Sequence, residues 1–518
     1  MTAPKNVLFI TADQWRGDSL SALGHPCVQT PNLDRLAADG VLFRNHFTQA
    51  TPCGPSRASI HTGMYLQNHR SVINGTPLDA RHSNVALEAR KAGYDPVLFG
   101  YTDTSLDPRT LEPGDPALRT YEGVLPGMTP VVPMDDDQLP WRSHLRAKGY
   151  DISDAYYDVF RPKPDVPGAA ERGPTFAPAR YAAEDSNTAF LTDAALSYIA
   201  VRHDRPWFVH ISYWAPHPPF VVPEPYHAMY DPADVPAPLR AATLDAEAAQ
   251  HPWLTHYLSH QKGSGFTFGS TSNDHGRLSE RDLRQMRATY YGMITEVDAQ
   301  IGRLIDYLKK SGAYERTLIV FTSDHGEQLG DHWMLAKYGY FDQAFHVPML
   351  VHDPEPAAEP SRGRIVEAFS ENIDVMPTIL DWLDLAPPRQ CDGRSVLPFC
   401  RGATPKDWRQ EAHWEFDFRD IETREYETAF GLRSDQCTLA VIRDRRYKYV
   451  HFAAMPALFF DLQEDPMELH DRAGDPAYQS LVLDYAQKML SWRMAHDDYA
   501  LTHQLLTPDG VVEQYGRG

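Results

Sequence analysis

Asp13, Asp324 and His325 can hold a metal ion or move a proton, and each follows a short apolar run. Asp13 and Gln14 follow residues 6–11, and Asp324-His325-Gly326 follows 317–322. Tyr101, Thr102 and Asp103 lie at the end of the run 96–101, and His217 sits beyond 207–213 in the rigid loop Ala215-Pro216-His217-Pro218-Pro219. A polar residue just past a strand is most often a helix cap, and Asp324-His325-Gly326 alone reads equally well as a tight turn. Several such residues converging on one edge make a metal or catalytic site the better reading. Two carboxylates and an imidazole suit one divalent ion of the Mn²⁺ or Zn²⁺ kind better than an all-oxygen calcium cage.

The stretch Thr51-Pro52-Cys53-Gly54-Pro55-Ser56-Arg57-Ala58-Ser59 reads as a loop running into a helix, with Pro55 in the first turn. Cys53 then lies at a helix N-terminus, where free N–H groups and the dipole favour an anion. Arg57, one turn on, shares that face and is placed for a forked contact to a tetrahedral oxyanion. The alternative for Cys53 is a small packing Cys in a turn, which is the reading for Cys27, Cys391, Cys400 and Cys437. Five cysteines without a C-x-x-C pair make neither a disulfide scaffold nor a zinc ribbon.

These residues need a scaffold. The apolar runs 6–11, 96–101, 207–213, 317–322 and 348–352 have the length and composition of buried parallel strands. Helical patterns lie between them. One starts with Thr30 as N-cap and Pro31 in the first turn and ends at Gly40; another spans about 185–202. The clearest spans 279–311, opened by a Ser279/Asp282 cap and stopped by Gly312. Its residues Leu283, Met286, Tyr290, Ile294, Val297, Ile301, Leu304 and Leu308 hold three-to-four spacing. Strands alternating with helices predict an α/β fold, a mainly parallel sheet covered on both faces, with ligands beyond the carboxyl ends of its strands. Segments 114–178 and 224–273 read as excursions, the first as a candidate lid, and 354–364 as a surface loop. From Trp414 the runs 438–443, 447–452 and 457–462 predict an antiparallel meander, followed by a helix over 478–496 and a polar tail. The expected division is an α/β catalytic domain over 1–410, an antiparallel subdomain over 411–475, and a helix and tail over 476–518.

With 49 Lys+Arg against 70 Asp+Glu among 518 residues, the net charge is −21, which argues against a nucleic-acid binder. Hydrophobic residues at 42% and charged residues at 23% exclude a wholly disordered chain. No stretch approaches a membrane span. The apolar run 7–10 is too short for a signal-peptide core, so a cytoplasmic protein is expected. Asp135-Asp136-Asp137 reads as a solvated loop, His251, His256 and His260 as surface histidines, Arg443-Asp444-Arg445-Arg446 as a hairpin tip, and Trp141 and Tyr156-Tyr157 as local packing.

Cys53-x-Pro55-Ser56-Arg57 followed by Thr62-Gly63 matches the sulfatase signature C-x-P-S-R-x-x-x-x-T-G. Around it stand Asp13, Thr30-Pro31-Asn32-Leu33-Asp34-Arg35-Leu36, Ser323-Asp324-His325-Gly326-Glu327, Gly330-Asp331-His332, Lys337 and Val347-Pro348. Asp461-Leu462, Asp465-Pro466 and Glu468-Leu469 complete a pattern running from about residue 5 to 475. The chain resembles the sulfatase branch of the alkaline phosphatase superfamily, most of all the phosphonate monoester hydrolases and their arylsulfatase relatives. Asp13-Gln14, Asp324-His325 and Gly100-Tyr101-Thr102-Asp103 stand where ordinary sulfatases carry Asp-Asp, Asp-Asn and Gly-Lys-Trp-His. The phosphonate hydrolases share the first two changes and the Gly-Tyr-Thr start; Asp103 departs from their Thr.

The resemblance implies an alkaline-phosphatase-like sheet sandwiched by helices, with a smaller C-terminal antiparallel sheet. It also implies that a maturation enzyme oxidises Cys53 to formylglycine, and that one divalent ion, Mn²⁺ foremost with Zn²⁺ or Ca²⁺ as alternatives, binds Asp13, Gln14, residue 53, Asp324 and His325. Residue 53 would attack sulfur or phosphorus in line, Arg57 and Lys337 would hold the equatorial oxygens, and His217 would protonate the leaving group. Asn74, Tyr101 and Asp103 would bind the substrate, a small-molecule ester. Two carboxylates roughly cancel one divalent ion and leave Arg57 and Lys337 in surplus, which suits singly charged esters. The alternatives are a phosphodiesterase or phosphatase with unmodified Cys53 and an inactive anion-binding homologue. Relatives of this branch associate, so a homo-oligomer, dimer or tetramer, is expected, with the C-terminal helix and tail as an exchange arm.

Overall fold

The computed structural model describes residues 5–135, 137–202, 205–261, 265–266 and 278–513, without the side chain of Tyr156. Asp136 and part of the 224–273 excursion thus lie outside the described residues. Among the described residues up to 371 lie nine strands: β1 Asn6–Ala12, β2 Val41–Phe47, β3 Ala50–Thr51, β4 Pro96–Gly100, β5 Thr129–Pro133, β6 Phe208–Tyr213, β7 Thr317–Ser323, β8 Met349–His352 and β9 Arg364–Glu371. Eight form one sheet in the order β5-β4-β6-β1-β7-β8-β2-β9. Side chains alternate across it. Leu8, Ile10 and Ala12 of β1 enter one apolar cluster with the helix Glu280–Ser311, while Val7 and Phe9 enter another with the helices Cys53–Thr62 and Val375–Trp382. Both faces are covered, which accounts for runs that are apolar throughout.

The long helix is built as its spacing predicts. Ser279 Oγ accepts from Asp282 N at 3.1 Å, and Gly312 ends the helix at φ 70°. The helix Pro31–Asp39 begins where expected, but Thr30 makes no capping bond; its hydroxyl pairs with Ser21 Oγ at 2.7 Å. The cap comes from the long helix instead. Asp298 accepts from Asn32 N at 3.1 Å, Leu33 N at 2.8 Å and Asn32 Nδ2 at 2.7 Å.

β8 is antiparallel to both neighbours, not parallel as expected. A four-residue apolar run fits either direction. The connection from β7 decides it: residues 324–348 stay at the carboxyl edge of the sheet, so the chain re-enters from the edge at which it left. Both excursions contain more than loop. β5, from the first, pairs in parallel with β4 at the sheet edge, where its two prolines are tolerated. Trp141, from the same segment, is fully buried and donates to Asp185 O at 2.8 Å. The second excursion contains the helix Pro252–His260.

β11 Thr438–Arg443, β12 Tyr447–Phe452 and β13 Leu458–Asp461 form the expected meander; β10 Ala412–Asp417, a strand not predicted from the sequence, pairs antiparallel with β11, and β3 joins β10 in parallel through Ala50–Glu415 and Thr51–Phe416. That junction matters, because Cys53 follows β3 by two residues. The helix Gln479–Ala495 buries Tyr485 and Met489 against this sheet, and a hairpin of β14 Gln504–Thr507 and β15 Gly510–Glu513 follows it. No helix among the described residues is long and apolar enough to cross a membrane.

Asp298→Ala should lower unfolding stability by about 2 kcal/mol, because it orphans two helix N–H groups. Asp298→Asn, which keeps an acceptor, should lose less. Urea denaturation of both variants checks this.

Candidate active site

Strand register brings the site together. Ala12 is paired with Ser323 on one side and Tyr213 on the other, so Asp13 and Asp324 leave adjacent strands at one level. Phe99 pairs with Ile211, which brings Gly100 level with Ser212. Gly100 has φ 113°, and a Cβ there would lie 2.1 Å from Ser212 O, so only glycine lets Tyr101 turn over the sheet edge. The helix Cys53–Thr62 points its first turn at this edge, capped on Gly54 N by Asn74 Oδ1 at 2.8 Å.

Arg57 lies among the carboxylates. Its Nε donates to Asp324 Oδ2 at 3.0 Å and lies 3.4 Å from Asp103, while NH2 donates to Asp13 Oδ2 at 3.1 Å. Its NH1 donates to Ser212 Oγ at 2.7 Å and Tyr101 O at 3.2 Å, and the guanidinium stacks 4.2 Å from the Tyr101 ring. With 1% of its side chain exposed, this guanidinium neutralises the site's own acids, where the sequence reading had it forking onto substrate. Tyr101 likewise turns inward, its hydroxyl donating to Asp13 Oδ2 at 2.6 Å. Thr102 turns away to Gly123 O.

Lys337 is the cation that faces residue 53. Its Nζ lies 3.0 Å from Cys53 Sγ and 3.0 Å from Gln14 Oε1. Gln14, expected as a metal ligand, thus uses its oxygen on Lys337, and its Nε2 donates to Glu327. Glu327 also accepts from Leu329 N at 3.0 Å and Ala336 N at 2.7 Å, which pins both ends of the loop that carries Lys337. Sequence reading assigned no role to Glu327, Ser212 or Tyr290, whose hydroxyl donates to Gln14 O at 2.7 Å. Ser212 and Glu327 signal themselves only by lying at or just past strand ends, and Tyr290 only as one of the apolar-face residues of the long helix, features that many structural residues share.

His217 Nδ1 donates to Pro218 O at 2.6 Å, leaving Nε2 with its lone pair. Burial and then the charge of Lys337 push His217 down to about 4. Burial, reinforced by Asp13 and Asp324 against the pull of Arg57, raises Asp103 to about 7. The Cys53 thiol is pushed well above its ordinary value by burial and then by Asp13. His217 and Asn74 are half-buried and the other site residues buried.

The donor set fits a divalent ion. Donor atoms of Asp13, Cys53, Asp324 and His325 all lie within 4.8 Å of one another. Asp13 Oδ1 is buried without a hydrogen-bond partner, 3.6 Å from His325 Nε2. His325 donates from Nδ1 to Gly326 O at 3.0 Å, so Nε2 keeps a lone pair. Burial and the Lys337 charge hold the imidazole well below its usual range, hence neutral.

The sulfatase family model matches residues 5–385, and that of the N-sulphoglucosamine sulphohydrolase C-terminal region matches 330–495. The chain belongs to the sulfatase family. Within it, the chain is 48% identical over 515 residues to the multifunctional alkaline phosphatase superfamily protein PehA of Trinickia caryophylli, covering 98% of this chain and 99% of that one. Among solved structures it is similar to the phosphonate monoester hydrolase of Agrobacterium radiobacter, with TM-score 0.95, 47% identity, and 99% of this chain and 100% of that one covered. An arylsulfatase of Clostridium perfringens is 27% identical, covering 94% of this chain and 93% of its own. This sulfatase-family chain is therefore an enzyme of the alkaline phosphatase superfamily, a hydrolase of sulfate or phosphonate esters.

Asp103 gives a pH test. In the ion-free site it is neutral below about pH 7 and negative above, where it repels an anionic ester, and a bound divalent ion would move that midpoint down. The kcat/KM for an aryl ester anion should therefore fall as pH rises through the Asp103 midpoint, at or below 7, by about tenfold. Asp103→Asn should remove that limb, as read from pH–rate profiles at one ionic strength.

Proposed function

We propose that the chain hydrolyses singly charged phosphonate and sulfate esters, phosphonate monoesters foremost, with residue 53 as formylglycine beside one divalent ion. The observation that carries this reading is the convergence of Asp13 Oδ1, Asp324, His325 Nε2 and residue 53 with Lys337 at 3.0 Å. These four residues would hold the ion, Mn²⁺ foremost for a mixed oxygen–nitrogen set, with Zn²⁺ or Ca²⁺ as alternatives. When bound, it would act as a Lewis acid on the ester oxygen and favour ionisation of the nucleophile. Formylglycine, hydrated, would supply two geminal hydroxyls, one to attack and one to release the product.

The chain's own groups do the rest. Lys337 offers its ammonium to the anionic ester and to the oxygen on residue 53, and the Gln14–Glu327 pair keeps it there. Arg57 and Tyr101 hold Asp13 so that one oxygen faces the centre. His217 presents Nε2 toward the leaving group. An anionic ester offsets the Lys337 charge that disfavours the imidazolium, and so raises the fraction able to donate a proton. Structural neighbours that are phosphonate monoester hydrolases, at 47% and 42% identity, support ranking phosphonates first. An unmodified Cys53 is the weaker reading, since beside the ion its sulfur would be a metal-bound thiolate, a poor route to phosphoryl or sulfuryl transfer.

The chain is also proposed to associate with further copies of itself. Leu505, Leu506, Val511 and Val512 of the terminal hairpin are 65%, 80%, 57% and 54% exposed, an apolar strip that a second copy would cover.

Mass spectrometry of the peptide carrying residue 53, after coexpression with a formylglycine-generating enzyme, tests the nucleophile. Formylglycine content should track activity; full activity with an intact thiol would overturn the mechanism. An aryl phosphonate and an aryl sulfate with the same phenol should show higher kcat/KM for the phosphonate. His217→Asn should cost about 10²–10⁴-fold for a poorly activated phenol and much less for 4-nitrophenol.

A further inference from the structure

His256 and His260, read from the sequence as ordinary surface histidines, stand one turn apart on the helix Pro252–His260. Their rings lie 4.1 Å apart between centroids. Opposite them is Glu425, the first residue of the helix Glu425–Phe430, whose Oε1 accepts from His256 Nε2 at 3.0 Å, a proton that a bound ion would displace. Donor atoms of the three residues all lie within 4.8 Å of one another. His260 Nδ1 faces His256 O at 2.9 Å. A carbonyl only accepts, so the proton sits on Nδ1 and Nε2 keeps its lone pair. The edges of Tyr426 and Phe430 hold the His256 ring at 5.3 Å each. His251 takes no part: it stacks on Phe452 at 4.0 Å, and its Nε2 faces Pro456 O at 3.0 Å.

We propose that His256, His260 and Glu425 form a second metal site, separate from the active centre, for a divalent transition ion of the Zn²⁺ kind. Two imidazoles and one carboxylate leave one position for water in a tetrahedral shell. Imidazoles disfavour Ca²⁺ and Mg²⁺, which take oxygen donors. The ion would clamp two helices whose ligands lie 169 residues apart in the chain. The inner side of the same helix supports the loop before Lys337. Tyr257 donates its hydroxyl to Leu335 O at 2.7 Å, and Gln261 accepts from Leu335 N at 2.6 Å and donates to Trp333 O at 2.9 Å. The clamp therefore stabilises the support of the active-site cation without touching the reacting atoms.

The test is Zn²⁺ titration by calorimetry, with thermal midpoints, on full-length enzyme. Wild type, His260→Ala and Glu425→Gln have the active centre first loaded with Mn²⁺, and Asp13→Asn, whose active centre lacks a ligand, is titrated without that loading. Wild type and Asp13→Asn should each bind Zn²⁺ at a site that His260→Ala and Glu425→Gln lack, and their midpoints should rise with Zn²⁺ where those of the two surface variants stay flat. In metal-loaded enzyme without added Zn²⁺, His260→Ala should keep wild-type kcat. The same Zn²⁺ stoichiometry and affinity in wild type and His260→Ala would overturn the proposal, as would the absence of Zn²⁺ binding outside the active centre.

Discussion

Two carboxylates forced side by side set the terms for this active site. The register that pairs Ala12 with Ser323 delivers Asp13 and Asp324, both buried, to one level of the sheet edge. Like charges at such a place cannot both persist without compensation. Arg57 provides it, and the orientation of the Cys53–Thr62 helix follows, since its second turn must deliver the guanidinium between the two acids. Ser212 and the Tyr101 carbonyl then take the two N–H groups of NH1, which explains why Gly100 must let the chain pass so close to β6. Removing one partner from such a buried cluster costs about 3–5 kcal/mol. Arg57 is thus a structural condition for the site before it is anything to a substrate.

A second chain of contacts governs the approach of the anion. Glu327, fixed by two backbone N–H groups, holds Gln14, which holds Lys337, which faces residue 53. Each link is short and buried, so the ammonium has little freedom to relax toward solvent. A fixed cation pre-organised where negative charge develops stabilises the transition state without reorganisation at the moment of reaction. The side-chain oxygen of Gln14 serves this purpose, and its backbone N–H donates to Asp324 Oδ1 at 3.1 Å.

The architecture was legible wherever a single segment carries its own signal. β1, β6 and β7 are apolar on both faces because both faces are covered, and in a parallel sheet the residue after each such strand points at the ligand edge. Asp13, Asp324 and His325 could be found in that way. β2 and β9 were missed because Arg44, Asn45 and Glu367 interrupt their apolar character near the edge of the sheet. The direction of β8, the cap that Asp298 supplies to a helix 265 residues away, and the roles of Gln14 and Glu327 depend on where distant segments meet. Arg57 was placed on the right face, but its partners were not foreseeable, because one-turn spacing reveals what a side chain can reach and not which acids already surround it.

Charge balance then links this arrangement to the substrate class. Without an ion, Arg57 and Lys337 offset Asp13 and Asp324, and Asp103 is half ionised near neutrality. A divalent ion in the proposed site leaves two positive charges in surplus while Asp103 is protonated. A singly charged ester and an ionised nucleophile together restore neutrality. A doubly charged ester would overshoot by one, and would do better beside two ions. When Asp103 ionises, one of those positive charges is already cancelled, and the pocket must choose between holding the ester and ionising the nucleophile. On this reasoning an acid at position 103 leaves the shape of the pocket intact and instead ties the tolerated substrate charge to pH.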